Sequence, residues 1–231
     1  GHFARYGRAL PLGRGLFRAV KGQYAARRAA REERLCAEFA RLRGELCAAG
    51  RRERDCTLSA RAAGGFGTLA ALPFAAAAVL LFCFFAPHLL FLTGNLFFEF
   101  ILLAAGLLCM VPLHECVHAL ASAAVHGSFA GISVRVLGAP QCVCLRPASR
   151  AQYACGAVSP FVLLGLAPAA AGIAAGCLFA LVCGAFGIFA AGADLLVFCR
   201  ALGAGRCAVL VDHPARCGFF AFLPVGSGGG D

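Results

Sequence analysis

Charge is what this sequence has least of. Only 14% of its 231 residues are Asp, Glu, Lys or Arg, against about 25% in an ordinary soluble domain. The mean hydropathy is +0.80. That shortage excludes a simple water-soluble globule and points to membrane-spanning segments. Acidic residues are missing altogether from Cys116 through Ala193. There is no Cys-x-x-Cys pair among the 14 cysteines. Six of them, Cys83, Cys109, Cys116, Cys177, Cys183 and Cys199, lie in apolar stretches, where cysteine behaves as a small hydrophobe. Reduced thiols facing lipid or cytoplasm are therefore expected, not a secreted disulfide framework. No signal peptide is visible, because residues 1–61 are too charged to hold an apolar core segment. The chain begins at Gly1 and its only methionine is Met110, so a fragment or a processed product is expected.

The charge that is present sits at the N-terminal end. Residues 1–61 hold 15 of the 21 Lys and Arg, against six acids. This split predicts a basic, mostly helical cytoplasmic segment over 1–65, a polytopic membrane domain over 66–220 and a flexible Gly-rich tail over 221–231. Residues 20–60 are rich in the good helix formers Ala, Arg, Glu and Leu. Leu35, Phe39, Leu42 and Leu46 recur at helical spacing and make one narrow apolar stripe. Such a basic amphipathic helix suits an anionic lipid surface. A solvated cytoplasmic helix and an oligomerisation stripe explain it equally well. No aromatic interleaving or groove-reading motif accompanies the arginines, so no nucleic acid is expected as a partner.

Four apolar stretches follow. Thr68 to Ala86 is uncharged and long enough to cross about 30 Å of hydrocarbon. Leu96 to Val125 is longer and contains Pro112, where a kink is expected. Ala154 to Ala175 and Leu178 to Cys199 are separated by little more than Gly176 and predict a tight helical hairpin packed through small residues. Between the second and third stretches, Ile132, Val134 and Val136 alternate with Ser133 and Arg135, ahead of a Gly-Ala-Pro turn and QCVCLR. That pattern predicts a β-hairpin. Basic residues flank only one set of loops: the N-terminal segment, Arg135, Arg146 and Arg150, then Arg200, Arg206 and Arg216. By the positive-inside rule both termini and the hairpin face the cytoplasm. The fold expected is an all-α, multi-pass membrane protein of about four transmembrane helices with an inserted cytoplasmic β-hairpin.

The second stretch carries the run HECVH, an HExxH motif. His114 and His118 are four residues apart, so on a helix they share one face and can share one Zn²⁺. Glu115, beside the first ligand, is placed to take a proton from a water that the ion polarises. In a soluble helix the motif is often a chance match. Within a membrane span three ionisable groups each cost about 2.5–3.5 kcal/mol at the centre, which favours a metal site.

A catalytic zinc usually has three protein ligands. His126 lies about 12 Å beyond His118 along a helix, and Glu99 about 22 Å before His114, both too far to share the ion. Asp194, inside the fourth stretch, is the next acid. It lies about 9 Å below the face on which His118 is about 13 Å deep, so it is the favoured third ligand. Its alternative is a structural polar contact between helices. Asp212, in the run VDHP, is the runner-up ligand, with a turn residue before Pro214 as its plainer role. Cys144 is a weaker choice, since an alternating strand with Cys142 and Cys144 needs no metal.

These residues converge on a resemblance. VPLHECVHAL, CVCLRP with QYACGAVSPFVLLGLAP, GADLLVFCRAL and VLVDHPARCGF are similar to a family of small bacterial membrane proteins described as zincin peptidases. More distantly, the chain resembles the site-2 proteases, which carry out intramembrane proteolysis. The resemblance covers about residues 110–220 and implies zinc held by His114, His118 and Asp194, with Glu115 as base. The Asn-x-x-Pro usual in site-2 proteases is absent: GIFAAGA precedes Asp194 here. The first functional reading is a zinc metalloendopeptidase of a bacterial cytoplasmic membrane, acting on a membrane protein or peptide in or beside the bilayer. The second is a non-catalytic, metal-binding membrane scaffold or regulator with a degenerate site.

Overall fold

A computed structural model describes residues 12–86, 88–136 and 140–225, with side chains from residue 22 onward. In chain order the elements are α1 (Leu12–Ala48), β1 (Arg51–Asp55), α2 (Ala60–Phe85), α3 (Leu96–His126), β2 (Ile132–Arg135), β3 (Gln141–Cys144), β4 (Ala148–Ser149) and α4 (Arg150–Pro160). A π-helical turn over Phe161–Leu166 then leads into α5 (Ala167–Ala175), followed by α6 (Leu178–Ala190), α7 (Gly192–Leu202), β5 (Val209–Asp212) and β6 (Phe219–Pro224).

The helices start and stop where their sequences dictate. Ser59 caps α2 by accepting from Ala62 N–H, and Asn95 caps α3 by accepting from Phe97 N–H. Ser149 and Gln152 form a reciprocal capping box on α4. Three segments are long and apolar enough to cross a membrane: Ala60–Phe85, Leu96–His126 and Arg150–Ala175. The outer faces of α2 and α3 are apolar and uncovered, with Phe84 79% and Leu108 75% exposed, as suits a lipid solvent. Pro112 lies inside α3 without interrupting it.

The fourth apolar stretch is not the single helix that its composition predicts. It is α6 and α7, bent by 51° where they meet, with Ala191 at φ −85°, ψ 7° between them. Gly176, before α6, accepts from Leu90 N–H in the α2–α3 connection, whereas α7 ends on the way to β5. Taken together, the bent pair is also long and apolar enough to cross a membrane, which gives three spans or, with this pair counted as one, four. Its packing depends on missing side chains. A Cβ at Gly184 would lie 2.3 Å from Ala169 N, and one at Gly192 would lie 2.3 Å from the carbonyl oxygen of Gly67. Backbone therefore meets backbone at the α5–α6 and α2–α7 crossings.

The chain is mostly helical, but the all-α expectation needs correction. Besides the hairpin β2–β3, which pairs Ile132 with Cys144 and Arg135 with Gln141, there is a four-stranded antiparallel sheet in the order β1-β6-β5-β4. It joins Arg51–Asp55 to Phe219–Pro224 across most of the chain. A strand reading RRERD carries no apolar pattern, and β6 (FFAFLP) is apolar throughout because both of its faces are covered. One face, with Leu210, Phe219 and Ala221, packs on the ends of α4 and α7 through Ala154, Ala157, Val197 and Ala201. The other, with Val211, Phe220 and Phe222, packs on α1.

The apolar stripe of α1 is used there. Leu35 and Phe39, with Leu42 and Leu46 beside them, bury against that face and against Val143 of β3 and Leu145 just after it. Each such side chain contributes about 1.5–3 kcal/mol. Arg31 donates to the hydroxyl and carbonyl of Ser133, and Glu32 pairs with Arg135, so α1 also clamps the hairpin. Residues 221–224 are the end of β6. Residues 1–11 and 226–231, which include most of the tail predicted over 221–231, lie outside the described residues.

All strands lie at one end of the bundle, since Gln141 reaches Pro214 and Cys144 reaches Asp212. Exposed Cys47 and Cys207 should therefore be modified from the same side of a sealed membrane, and a Leu92→Cys variant from the other. Thiol labelling with an impermeant reagent checks this. Cys47 and Cys207 labelled from opposite sides would require an odd number of spans.

Candidate metal centre

His114 and His118 face the same way because α3 is unbroken between them. Their rings lie 4.9 Å apart at 78°. Asp194 comes from the first turn of α7, where a carboxylate is favoured by the helix N-terminus. The break at Ala191 puts that turn inside the bundle. Nε2 of His114 is 3.0 Å and Nε2 of His118 is 3.5 Å from the same oxygen, Oδ2 of Asp194. The side chains are 12%, 17% and 21% exposed, enough for a small ion or a water to reach them.

This donor set fits a zinc ion on two counts. Two ligands at 2.0–2.1 Å in tetrahedral geometry lie about 3.3 Å from each other, and the observed separations bracket that value. The second count is the proton on His118. Its Nδ1 is 3.0 Å from the carbonyl oxygen of Gly156. A carbonyl only accepts, so Nδ1 carries the hydrogen and a neutral ring turns the lone pair of Nε2 toward the Asp194 carboxylate. Two electron-rich atoms facing each other need a proton or a cation between them. Among the described residues, His114, His118 and Asp194 form the one group of three or more His, Cys, Asp or Glu with this geometry.

The Gly156 carbonyl is available to His118 for a reason written in the sequence. In an α-helix it would accept from the N–H of residue 160. Residue 160 is proline, which has none. The freed carbonyl takes the His118 ring and the hydroxyl of Ser159, at 2.9 Å. Nδ1 of His114, by contrast, is buried with no hydrogen-bond partner among the described residues.

The cluster lies in the wall of a 520 Å³ cavity between the bundle, the hairpin and α1. Glu115 also lines it, as does Cys142 of β3. Arg28, Arg135, Arg146 and Arg216 border it. Glu99 is at the opposite end of α3, where it accepts from Thr93. His126 and Cys144 line the cavity but stand outside the cluster. So does Asp212, the other acid weighed as a ligand. Its Oδ1 accepts from the Tyr153 hydroxyl and its Oδ2 from Cys144 N–H at 2.7 Å. Burial pushes the Asp212 carboxyl above the usual range, and those two hydrogen bonds oppose the shift. Tyr153 was invisible to pattern reading, since one tyrosine in an apolar helix has no spacing signal.

Two imidazoles from one helix and a carboxylate from another, around a single position in a polar cavity, define a helical protein with a site suited to a metal. Residues 107–209 match the model of a family described as "Putative zincin peptidase". The match runs from the middle of α3 to the first residue of β5 and takes in the three clustered residues and Glu115, while Asp212 lies beyond it. No curated protein matches the chain, and no solved structure does, so these comparisons show no likeness to site-2 proteases.

Two outcomes follow for the purified protein. His114→Ala, His118→Ala and Asp194→Asn should each weaken zinc binding by at least about 100-fold, a loss beyond that of an outer partner, whereas Asp212→Asn keeps its zinc. Metal titration with a competing chelator measures both. Pro160→Ala restores an N–H that competes for the Gly156 carbonyl, so zinc affinity should fall about 10-fold with helical content unchanged.

Proposed function

We propose that this chain is a membrane-embedded zinc metallopeptidase that hydrolyses a peptide bond in or beside the bilayer. The observation that carries the reading is the convergence of His114, His118 and Asp194 on one position, with Glu115 in the same cavity. A zinc ion held by those three residues would supply a Lewis acid for water and for the substrate carbonyl. Glu115 takes the proton from the attacking water as its oxygen bonds to the carbonyl carbon. It then returns that proton to the amide nitrogen as the C–N bond breaks, leaving a carboxylate and an amine. His118 is held by Gly156 in the tautomer that leaves Nε2 free to bind the ion.

The substrate is a membrane protein or peptide in extended form, since a helix has its carbonyls engaged in internal bonds. The edge of β3 beside Glu115 suits it, because main-chain pairing with a strand holds a peptide whatever its side chains. By the positive-inside rule, the basic flanks favour a cytoplasmic side for this end of the bundle and both termini, and the membrane proposed is a bacterial cytoplasmic membrane. The apolar stripe of α1 is buried on the sheet, so contact of residues 1–61 with anionic lipid rests on exposed arginines such as Arg27, Arg34 and Arg41. An activity like that of the site-2 proteases, which the sequence motifs resemble, is part of this proposal.

Glu115→Gln separates the enzyme from a metal-binding scaffold. The variant should keep one zinc per chain and lose about 10²–10⁴-fold in turnover. Membrane proteomics of cells carrying wild type or Glu115→Gln should show substrates that accumulate only in the variant. An identical proteome and full biological function in the variant would leave the scaffold reading in its place.

A further inference from the structure

The run Val211-Asp212-His213-Pro214 has no part in the chemistry described so far, yet it borders the cavity. Asp212 ends β5, and its two carboxylate oxygens serve two other elements: Tyr153 of α4 donates to Oδ1, and the Cys144 N–H of β3 donates to Oδ2. His213 secures the turn that follows. Its Nδ1 accepts from the N–H groups of Ala215 and Arg216, and its ring packs on Phe39 and Phe220. Asp212 is thus fixed from behind and tied to a strand and a helix in front.

The strand it holds is the one beside the cluster. In a paired strand the N–H groups point to alternate sides. Leu145 N–H goes to Gly131 O, on the β2 side. Cys144 N–H therefore points away from β2, to Asp212, and the N–H of Cys142, two residues back, points to the same side; Cys142 and Glu115 line the same cavity. The free edge of β3 thus presents the main-chain groups of residues 142 and 144, and Asp212 already occupies the N–H of the second. The helix at its other end, α4, also holds His118 through Gly156.

From this geometry we infer that Asp212 is a positioning residue for an extended peptide: it sets β3 at a fixed distance from α4 and closes the edge at Cys144. An added strand then pairs at Cys142, beside Glu115, in one register. The substrate class is a main-chain-recognised peptide segment, and the inference rests on the peptidase reading above. An aspartate is needed because both of its partners are donors. An asparagine accepts from one and turns its NH₂ on the other, while Tyr153→Phe removes only one donor and leaves Asp212 in place.

The test uses the full-length, zinc-loaded protein in detergent, with Asp212→Asn and Tyr153→Phe as variants. Amide exchange at residues 141–145 should rise about 10-fold or more in Asp212→Asn and less in Tyr153→Phe, without any need for activity. On a peptide that the wild type cleaves, KM should rise about 10-fold with kcat within about 3-fold, and mass spectrometry should find additional cleavage points from a slipped register. The double variant should be no worse than Asp212→Asn, since both act through one tie. Loss of zinc in Asp212→Asn would make it a ligand and overturn the inference. Unchanged exchange with an unchanged KM and a single cleavage point in both variants would overturn it as well. A wild type that holds zinc and cleaves no peptide would instead overturn the peptidase reading, and the exchange data would still decide whether Asp212 holds β3.

Discussion

A carboxylate inside an apolar bundle has to be compensated, and the way Asp194 is compensated organises this molecule. An ion left alone among hydrocarbon side chains is so costly that such groups occur with partners. Asp194 gains its partners because α6 and α7 do not form one straight helix. The bend at Ala191 starts a new helix inside the bundle, with the carboxylate in its first turn. Gly192 against Gly67 fixes where that turn can sit, since a Cβ there would strike the Gly67 carbonyl at 2.3 Å. The position of the acid is thus set by contact between backbones, and the two histidines of α3 meet it from the other side.

The surroundings extend that constraint outward. Pro160 leaves the Gly156 carbonyl without an intrahelical donor, and the carbonyl orients His118. One turn earlier on α4, Tyr153 meets Asp212, which holds the edge strand β3. A single helix thereby links the metal-facing ring to the strand on which a peptide would lie. On the reading proposed here, the distance between ion and substrate is governed by main-chain contacts and hydrogen bonds, which tolerate little variation.

The sheet and α1 are not appendages of the membrane bundle. One face of the sheet closes over the ends of α4 and α7, and the other is covered by α1, whose Arg28 and Glu32 reach the cavity rim. The cavity lies at the junction of a strand layer and a helical bundle. On the proposed reading, a peptide leaving the membrane would become extended there and would meet strands able to pair with it.

The sequence by itself determined what depends on neighbours a few residues apart. The i, i+4 spacing of His114 and His118, the apolar lengths of the helices, and the alternation of Ile132, Val134 and Val136 are local facts with local consequences. Elimination also singled out Asp194, because so few acids were available. The rest was decided by contacts between distant segments. Arg51–Asp55 becomes a strand only because Phe219–Pro224 lies beside it, and the stripe on α1 had no visible target until the sheet formed beneath it. The break at Ala191 falls in an uncharged run of Gly, Ala and Phe that would serve equally well in a straight helix. Asp212 looked like a spare ligand until folding gave its two oxygens to Tyr153 and Cys144, 59 and 68 residues away. Periodicity records which face of an element is apolar. It does not record which element covers that face, and the choice of partner is a property of the packed chain.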